Sequence, residues 1–114
     1  MKPAKYPHVK ICCISSIDEA KLAIKYGASA IGLVGKMPSG PGVIGDELIA
    51  EIAANVSNEA DTFLLTSETT AEDIINHHKK VNTTTIQIVD RVDTAVYLTL
   101  RNELPGIKLV QVIH

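Results

Sequence analysis

Five short apolar segments recur along the chain, separated by longer stretches in which apolar residues follow a helical spacing. The segments are HVKICCI, SAIGLVG, DTFLLTS, TTIQIVD and IKLVQVI. Each has the length and the branched-residue content of a buried strand. The pattern therefore predicts five strands alternating with four helices, in the order βαβαβαβαβ.

The limits of the helices can be read from capping residues. Ser16 with Glu19 has the spacing of a capping box, and Thr69 with Glu72 repeats it. Gly27 stands where the end of the first helix favours left-handed backbone. A candidate N-cap residue precedes each of the four helical stretches: Ser16, Asp46, Thr69 and Asp93. Because parallel strands need crossover helices, the alternation predicts an α/β fold with a parallel sheet.

Strand residues divide into two sets, because successive side chains point to opposite faces of a sheet. One set is apolar apart from a thiol, and we expect it to face the helices: Val9, Ile11, Cys13, Ile31, Leu33, Phe63, Leu65, Ile86, Ile88, Val110 and Val112. The other set is mixed: Lys10, Cys12, Ala30, Gly32, Val34, Thr62, Leu64, Thr66, Thr85, Gln87, Val89, Leu109, Gln111 and Ile113. A doubly wound sheet would be apolar on both faces, so this asymmetry favours a β/α barrel. An open flavodoxin-like layer is the alternative.

Length and charge narrow the possible functions. At 114 residues the chain can bury one modest core, so we expect a single domain over residues 1–114. The formal net charge is -2 with both signs interspersed, which argues against a nucleic-acid partner. No apolar run approaches the roughly 18 residues of a membrane span, and the start, MKPAKYPHVK, lacks the apolar stretch of a secretory signal. We expect a cytoplasmic protein.

Two pairs of neighbouring residues are candidates for chemistry. Cys12 and Cys13 are adjacent, so an ordinary disulfide between them would be strained and both are expected to be free thiols. His77 and His78 are also adjacent and diverge on a helix, so we expect no metal site, and no cofactor. Cys13 is expected to be a small buried side chain facing the helices.

Cys12 has a different environment from its neighbour. Alternation places it with Lys10 on the mixed face, near the carboxyl end of the first strand, where parallel β/α proteins hold their catalytic groups. A packing role and a catalytic role are both open for Cys12 on position alone. Lys10 is expected to make an internal polar contact rather than to reach solvent.

The stretch VKICCISSIDEAKLAIKYGASAIGLV resembles the opening of phosphoribosylanthranilate isomerase, in which a strand KICG is followed by an EDA helix start and GADALGFVF. The resemblance continues through PSGPGVIGDELIAEIA, TFLLTSETTAEDII and TIQIVD, and runs from Val9 to His114. It implies a TIM (β/α)8 barrel enzyme of tryptophan biosynthesis, an intramolecular oxidoreductase that performs an Amadori rearrangement. The chain would correspond to the N-terminal half of that barrel, strands 1 to 5 and helices 1 to 4.

The resemblance also implies roles for two residues. The family's general base, the cysteine of KIC, falls on Cys12, which would remove the proton from C2 of the opened ribosyl Schiff base of a phosphorylated sugar-amine substrate. Gln87 aligns with a glutamine of the family's fourth strand and is a candidate substrate contact. A structural amide lining the barrel is the alternative for Gln87.

Departures from the family pattern bear on activity. Gly42 stands where the family has a loop arginine, which removes a charge-assisted contact to the anthranilate carboxylate. Cys13 replaces a glycine, and Val89 replaces a histidine. A (β/α)8 barrel needs about 250 residues. We therefore expect this chain to lack the strand that carries the family's general acid, an aspartate, and the units that bind the phosphate. Asp90 is expected on the outer side, in a capping or surface role.

Two functions follow as alternatives. The first is an isomerase, or a fragment of one that is inactive as an isolated chain. The second is a non-catalytic half-barrel that binds a ligand or a partner chain. A regulatory flavodoxin-like domain is disfavoured, because the first strand ends in cysteines instead of acidic residues. In either case the free sheet edges predict self-association or pairing with a missing C-terminal half.

Overall fold

The computed structural model describes residues 8–113; Met1 to Pro7, used above to judge the N-terminal segment, and His114 lie outside the described residues. The predicted order of elements is confirmed. The elements are β1 (Lys10–Ile11), α1 (Ile17–Lys25), β2 (Ala30–Val34), α2 (Asp46–Val56), β3 (Asp61–Thr66), α3 (Ala71–Val81), β4 (Thr85–Ile88), α4 (Thr94–Glu103) and β5 (Lys108–Gln111). Within residues 8–113, no helix combines the length and the apolar character that crossing a bilayer requires.

The five strands form one sheet in which spatial order equals chain order, β1-β2-β3-β4-β5, and each neighbouring pair is parallel. A doubly wound sheet reverses its strand order at a switch point, and this sheet does not. Sequential parallel order with all crossovers of one hand is the arrangement of a barrel wall. The fold is therefore five strands and four helices of a β/α barrel, and the flavodoxin-like alternative is wrong.

The helices cover one face of this sheet and bury its apolar side chains in two clusters. The first cluster joins β2 and β3 to α1 and α2 and includes Ile14, Ala20, Ile31, Leu33, Ile49, Ile52, Ala53, Val56, Leu64 and Val81. The second joins β4 to α3 and α4 and consists of Ile74, Ile86, Ile88 and Leu100. Each large aliphatic side chain buried in this way stabilises the fold by about 1.5 to 3 kcal/mol. The opposite face of the sheet carries no helix among the described residues and is called the open face below.

Two strands were assigned to the wrong face. Leu33 pairs with Leu64 and Gly32 with Phe63, so Leu64 lies on the helix side and Phe63 on the open face. The same reversal applies along both strands: Thr62, Leu64, Thr66, Leu109 and Gln111 face the helices, and Phe63, Leu65 and Val110 face the other way. The more apolar set is the one expected to face the helices, whereas the structure buries hydroxyls there, which need hydrogen-bond partners. Thr62 and Thr66 find such partners in the Thr84 N–H at 3.0 Å and the His77 ring at 2.9 Å.

Capping explains where α1 begins and ends. The Ser16 hydroxyl accepts the N–H of Glu19 at 3.0 Å, and Gly27 has φ +107° at the helix end, so both predictions are confirmed. The Glu19 carboxylate in turn accepts the N–H and the hydroxyl of Ser15, at 2.7 and 2.8 Å. These two hydrogen bonds lower the pKa of Glu19 from its ordinary value of 4.5.

Two other helices begin one residue away from the predicted position. Thr70, not Thr69, caps α3, and its hydroxyl accepts the N–H of Asp73 at 3.2 Å. Asp46 is the first residue of α2, and Gly45 precedes it as the cap. The side chain of Asp46 is thereby released from capping, and it is engaged elsewhere, as described below.

Candidate functional site

Cys12 lies at the carboxyl end of β1, one residue after the strand. Its side chain is exposed, and its thiol is free. A Cβ placed on Gly32 would lie 2.9 Å from the Cys12 Sγ, so the glycine in β2 leaves the room that the sulfur occupies. Since Gly32 is paired with Phe63, the thiol adjoins the open face, as alternation predicts for it.

Gln87 lies on the same open face, in β4. Its side-chain oxygen accepts a hydrogen bond from the Lys10 ammonium group, which also lies 4.5 Å from the centroid of the Phe63 ring. The internal polar contact expected for Lys10 is therefore confirmed. Gln87 thus has a structural partner in the barrel wall, and its amide nitrogen is the atom that could meet a ligand.

Cys13 does not occupy the position expected for it. Its φ is +60°, and the left-handed backbone breaks the alternation of β1 and brings the side chain against the loop between β2 and α2. The residue is exposed, and its Sγ lies 3.8 Å from the carbonyl oxygen of Pro41. The expectation of a small buried side chain facing the helices is wrong. Left-handed backbone is most easily adopted by glycine, the residue that the resemblance predicts here.

The β2–α2 loop, residues 35–45, meets Cys13 through Gly42. A Cβ on Gly42 would lie 2.7 Å from the Cβ and 2.8 Å from the Sγ of Cys13, closer than such atoms approach one another. Gly42 also has φ +82°, a conformation that favours glycine. Residue 42 can therefore carry no side chain while Cys13 is in place, so the two departures from the isomerase pattern are physically coupled.

A groove of about 410 Å³ runs along the outer side of β1, beside α1. Its wall is mainly apolar and includes Val9, Ile11, Leu22 and Tyr26, which are 41, 41, 56 and 77 % exposed. In a closed barrel another helix would cover this side of the first strand. The groove therefore follows the free sheet edge, and Cys12 and Cys13 line it where β1 ends.

Glu19 lines the groove together with Cys12, and two further acids lie at strand ends. Asp90, after β4, is exposed, and its backbone carbonyl accepts a hydrogen bond from Gln111 at 3.0 Å, which agrees with the expected surface role. Asp61 lies at the amino end of β3 and pairs with Lys108 at 3.2 Å. Within residues 8–113 no group of three or more His, Cys, Asp or Glu side chains is arranged to hold a metal ion.

The two histidines of α3 diverge, as predicted. His77 contacts Thr66 and Asp46, and His78 contacts the carbonyl of Thr83 at 2.7 Å. The contacts of His77 are missed when the two histidines are considered only as possible metal ligands. The signal was nevertheless in the spacing, because positions i, i+3, i+4 and i+7 of α3 form its buried stripe: Ile74, His77, His78 and Val81.

Several known proteins are similar to the chain in sequence or in structure. It is 27% identical over 107 residues to N-(5'-phosphoribosyl)anthranilate isomerase 2 of Methanosarcina mazei, covering 93% of this chain and 47% of that protein. The phosphoribosyl anthranilate isomerase structure from Thermococcus kodakaraensis matches 93% of this chain with 49% of its own, at a TM-score of 0.82 and 24% identity. A phosphoribosyl anthranilate isomerase in complex with reduced 1-(O-carboxyphenylamino)-1-deoxyribulose 5-phosphate matches with a TM-score of 0.81 and 19% identity, covering 93% and 53% of the two chains.

All of these matches cover about the same fraction of the matched protein. The chain spans about half the length of the isomerases that it matches, and no family model matches it. The structural likenesses, at 24% identity or less, establish the fold: the N-terminal half of a β/α barrel.

Proposed function

Taking the chain as a divergent counterpart of the N-terminal half of phosphoribosylanthranilate isomerase, we propose that it contributes the base-bearing half of an isomerase active site. In this proposal the 114-residue chain is one partial β/α-barrel domain. Cys12 is the catalytic base, and Gln87 contacts the phosphorylated sugar-amine substrate. The observation that supports the proposal is the exposed thiol of Cys12 at the carboxyl end of β1, where barrel enzymes hold their reacting groups.

The reaction follows from the resemblance. An acid protonates the ring oxygen of the ribose and opens the furanose to a Schiff base. The Cys12 thiolate then removes the proton from C2, the electron pair of that C–H bond forms the C1–C2 double bond of the enolamine, and the electrons of the C=N bond return to nitrogen. Loss of the proton of the C2 hydroxyl and addition of a proton at C1 then give the ketone. The sulfur must lie within hydrogen-bonding reach of C2, with the acid on the other side of the sugar.

We propose that the acid and the phosphate-binding groups come from three further strand–helix units that complete the barrel. A barrel of eight strands requires three in addition to the five described. The exposed apolar residues Val9 and Ile11 at one edge and Val110 at the other support this proposal, because they are the side chains that such units would cover. The chain by itself is expected to have no isomerase activity.

Turnover tests the role of Cys12. We expect Cys12→Ala to lower kcat by at least about 100-fold, because the proton transfer loses its base. Cys13→Ala is the matched control, since it removes the neighbouring thiol and is expected to stay within a few-fold of the parent. The assay follows the fluorescence of phosphoribosylanthranilate. It uses the chain together with the three further strand–helix units that complete the barrel. Equal kcat in the Cys12 variant and the parent would remove the base assignment.

A non-catalytic half-barrel that binds a ligand or partner is the second candidate. It is favoured by Gly42, because the contact with Cys13 leaves no space for a carboxylate-binding side chain at that position. Calorimetry with the reduced carboxyphenylamino deoxyribulose phosphate distinguishes the two functions. Binding without turnover in the completed barrel supports the binding module, and binding with turnover supports the isomerase.

A further inference from the structure

His77 is a buried side chain, 8 % exposed, with both ring nitrogens engaged. Nδ1 lies 2.9 Å from the Thr66 hydroxyl, and Nε2 lies 2.9 Å from a carboxylate oxygen of Asp46. The three residues come from different elements: the last position of β3, the middle of α3 and the first position of α2. A single imidazole therefore ties together one strand and two helices.

The hydrogen bonds in this cluster can be assigned a direction. The Asp46 carboxylate only accepts, so the Nε2 of His77 must donate to it. The Thr66 oxygen accepts the N–H of Glu68 at 3.3 Å, and the Thr66 hydroxyl donates to Nδ1 when the proton of the imidazole is on Nε2. A neutral imidazole with its proton on Nε2 satisfies every group in the chain of bonds. Such a connected, partly buried network holds its members in one arrangement.

His77 also contacts the other end of the β2–α2 loop. A Cβ on Gly35 would lie 2.6 Å from the Cε1 of His77, so the ring packs directly on the backbone where the loop begins. The Gly35 N–H is meanwhile held by the carbonyl of Leu65 at 2.9 Å. Gly35 opens the loop and Asp46 follows it directly, so one side chain fixes both ends.

The loop held in this way reaches the candidate site. Its Pro41 carbonyl lies 3.8 Å from the Sγ of Cys13, and the backbone of Gly42 packs on the same side chain. Cys13 is the residue next to Cys12. A continuous series of contacts thus runs from His77 through the loop to the carboxyl end of β1.

We propose that His77 is a positioning residue, which sets the β2–α2 loop against Cys13 and so shapes the surroundings of Cys12. Its place in catalysis rests on the proposed function, but its action on the loop does not. The removal of His77 should loosen the loop, while the amides in the rest of the sheet stay protected from hydrogen exchange.

Amide hydrogen exchange tests this directly in the 114-residue chain. The N–H of Ile44 bonds the carbonyl of Val34 at 3.0 Å and reports the loop, and the N–H of Val112 bonds that of Ile88 at 3.0 Å and reports the distant edge. We expect His77→Leu to speed the exchange of Ile44 relative to that of Val112 by roughly tenfold, as the loss of one to two hydrogen bonds implies. His77→Gln, whose amide can donate to Asp46, should restore the ratio to within about threefold.

His78→Leu is the matched control, because His78 lies on the same helix, is 5 % exposed, and bonds Thr83 away from the loop. It should change the exchange of both amides by the same factor. If His77→Leu does not fold, Asp46→Asn weakens the same bond in a milder way and is measured identically. An equal change at Ile44 and Val112 in the His77 or Asp46 variant would overturn the proposal, as would a loop-selective change in the His78 variant.

The outcome is separable from that of the proposed function. Loop-selective exchange together with an active Cys12→Ala variant would keep the positioning role of His77 and reject Cys12 as the base. A uniform change in exchange together with an inactive Cys12→Ala variant would reject the positioning role of His77 and keep Cys12 as the base.

Discussion

Cys13 and Gly42 show how one residue constrains another across the site. The left-handed backbone of Cys13 points its side chain at the loop, and the loop can approach it only because residue 42 has no side chain. Restoring a side chain at position 42 alone therefore produces a clash. The two positions must change together, and in this chain they differ together from the isomerase pattern.

A double-mutant cycle tests that coupling. Gly42→Ala should lower the free energy of unfolding by about 1 to 3 kcal/mol, because a Cβ at φ +82° is strained and lies 2.7 Å from that of Cys13. In the Cys13→Gly background the clash is gone and only the backbone strain remains, so the cost should fall by about 0.5 kcal/mol or more. Urea unfolding measures all four proteins. Strict additivity would mean that the two residues do not contact each other.

At the scale of the element, β3 is one of the two strands whose faces the sequence does not reveal. Its residues alternate between Thr and Leu on one side and between Phe and Leu on the other, so both sides could be buried. The choice is decided by neighbours: Leu64 pairs with Leu33 and Ile86, which are both buried against helices. The hydroxyls of Thr62 and Thr66 can then be buried because they are hydrogen-bonded.

Truncation on the two faces of β3 tests this register. Leu64→Ala should lower the free energy of unfolding by about 2 to 5 kcal/mol, since Leu64 is fully buried in the first cluster. Leu65→Ala on the open face should cost less, roughly 1 kcal/mol, because that side chain is only partly buried. Urea unfolding at a concentration where the monomer dominates gives both values. A larger loss for Leu65 would restore the face assignment read from the sequence.

The whole molecule presents two free edges and an open face that no described helix covers. Ile11 on β1 and Val9 just before it are 41 % exposed each, and Val110 on β5 is 38 % exposed. Unpaired strand edges with apolar side chains promote association. We expect these edges to pair with the remaining strands of a barrel. When the chain is isolated, we expect them to pair with a second copy of the chain.

Sedimentation tests this at the scale of the molecule. The 114-residue chain alone should sediment above the monomer mass of 12.3 kDa in a concentration-dependent way. Ile11→Lys should shift the distribution toward the monomer, because a charge on the edge opposes pairing. Val43→Lys is the control, since Val43 is similarly exposed at 43 % but lies in the β2–α2 loop. A monomer with a cooperative thermal transition would contradict the expectation of association.

Local signals in the sequence determined the number, type and order of the elements, the parallel sheet and the position of Cys12. They are sufficient because capping residues and apolar periodicity act within a few neighbouring residues, and the crossover rule applies to each strand–helix–strand unit in turn. The faces of β3 and β5, the left-handed turn at Cys13, its contact with Gly42 and the His77 cluster were decided only by the tertiary structure. In each of these cases the deciding partner lies elsewhere in the chain: Leu33 for Leu64, Gly42 for Cys13, Asp46 for His77. A side chain's face or conformation is then selected by packing and hydrogen-bond satisfaction between elements, which spacing along the chain does not encode.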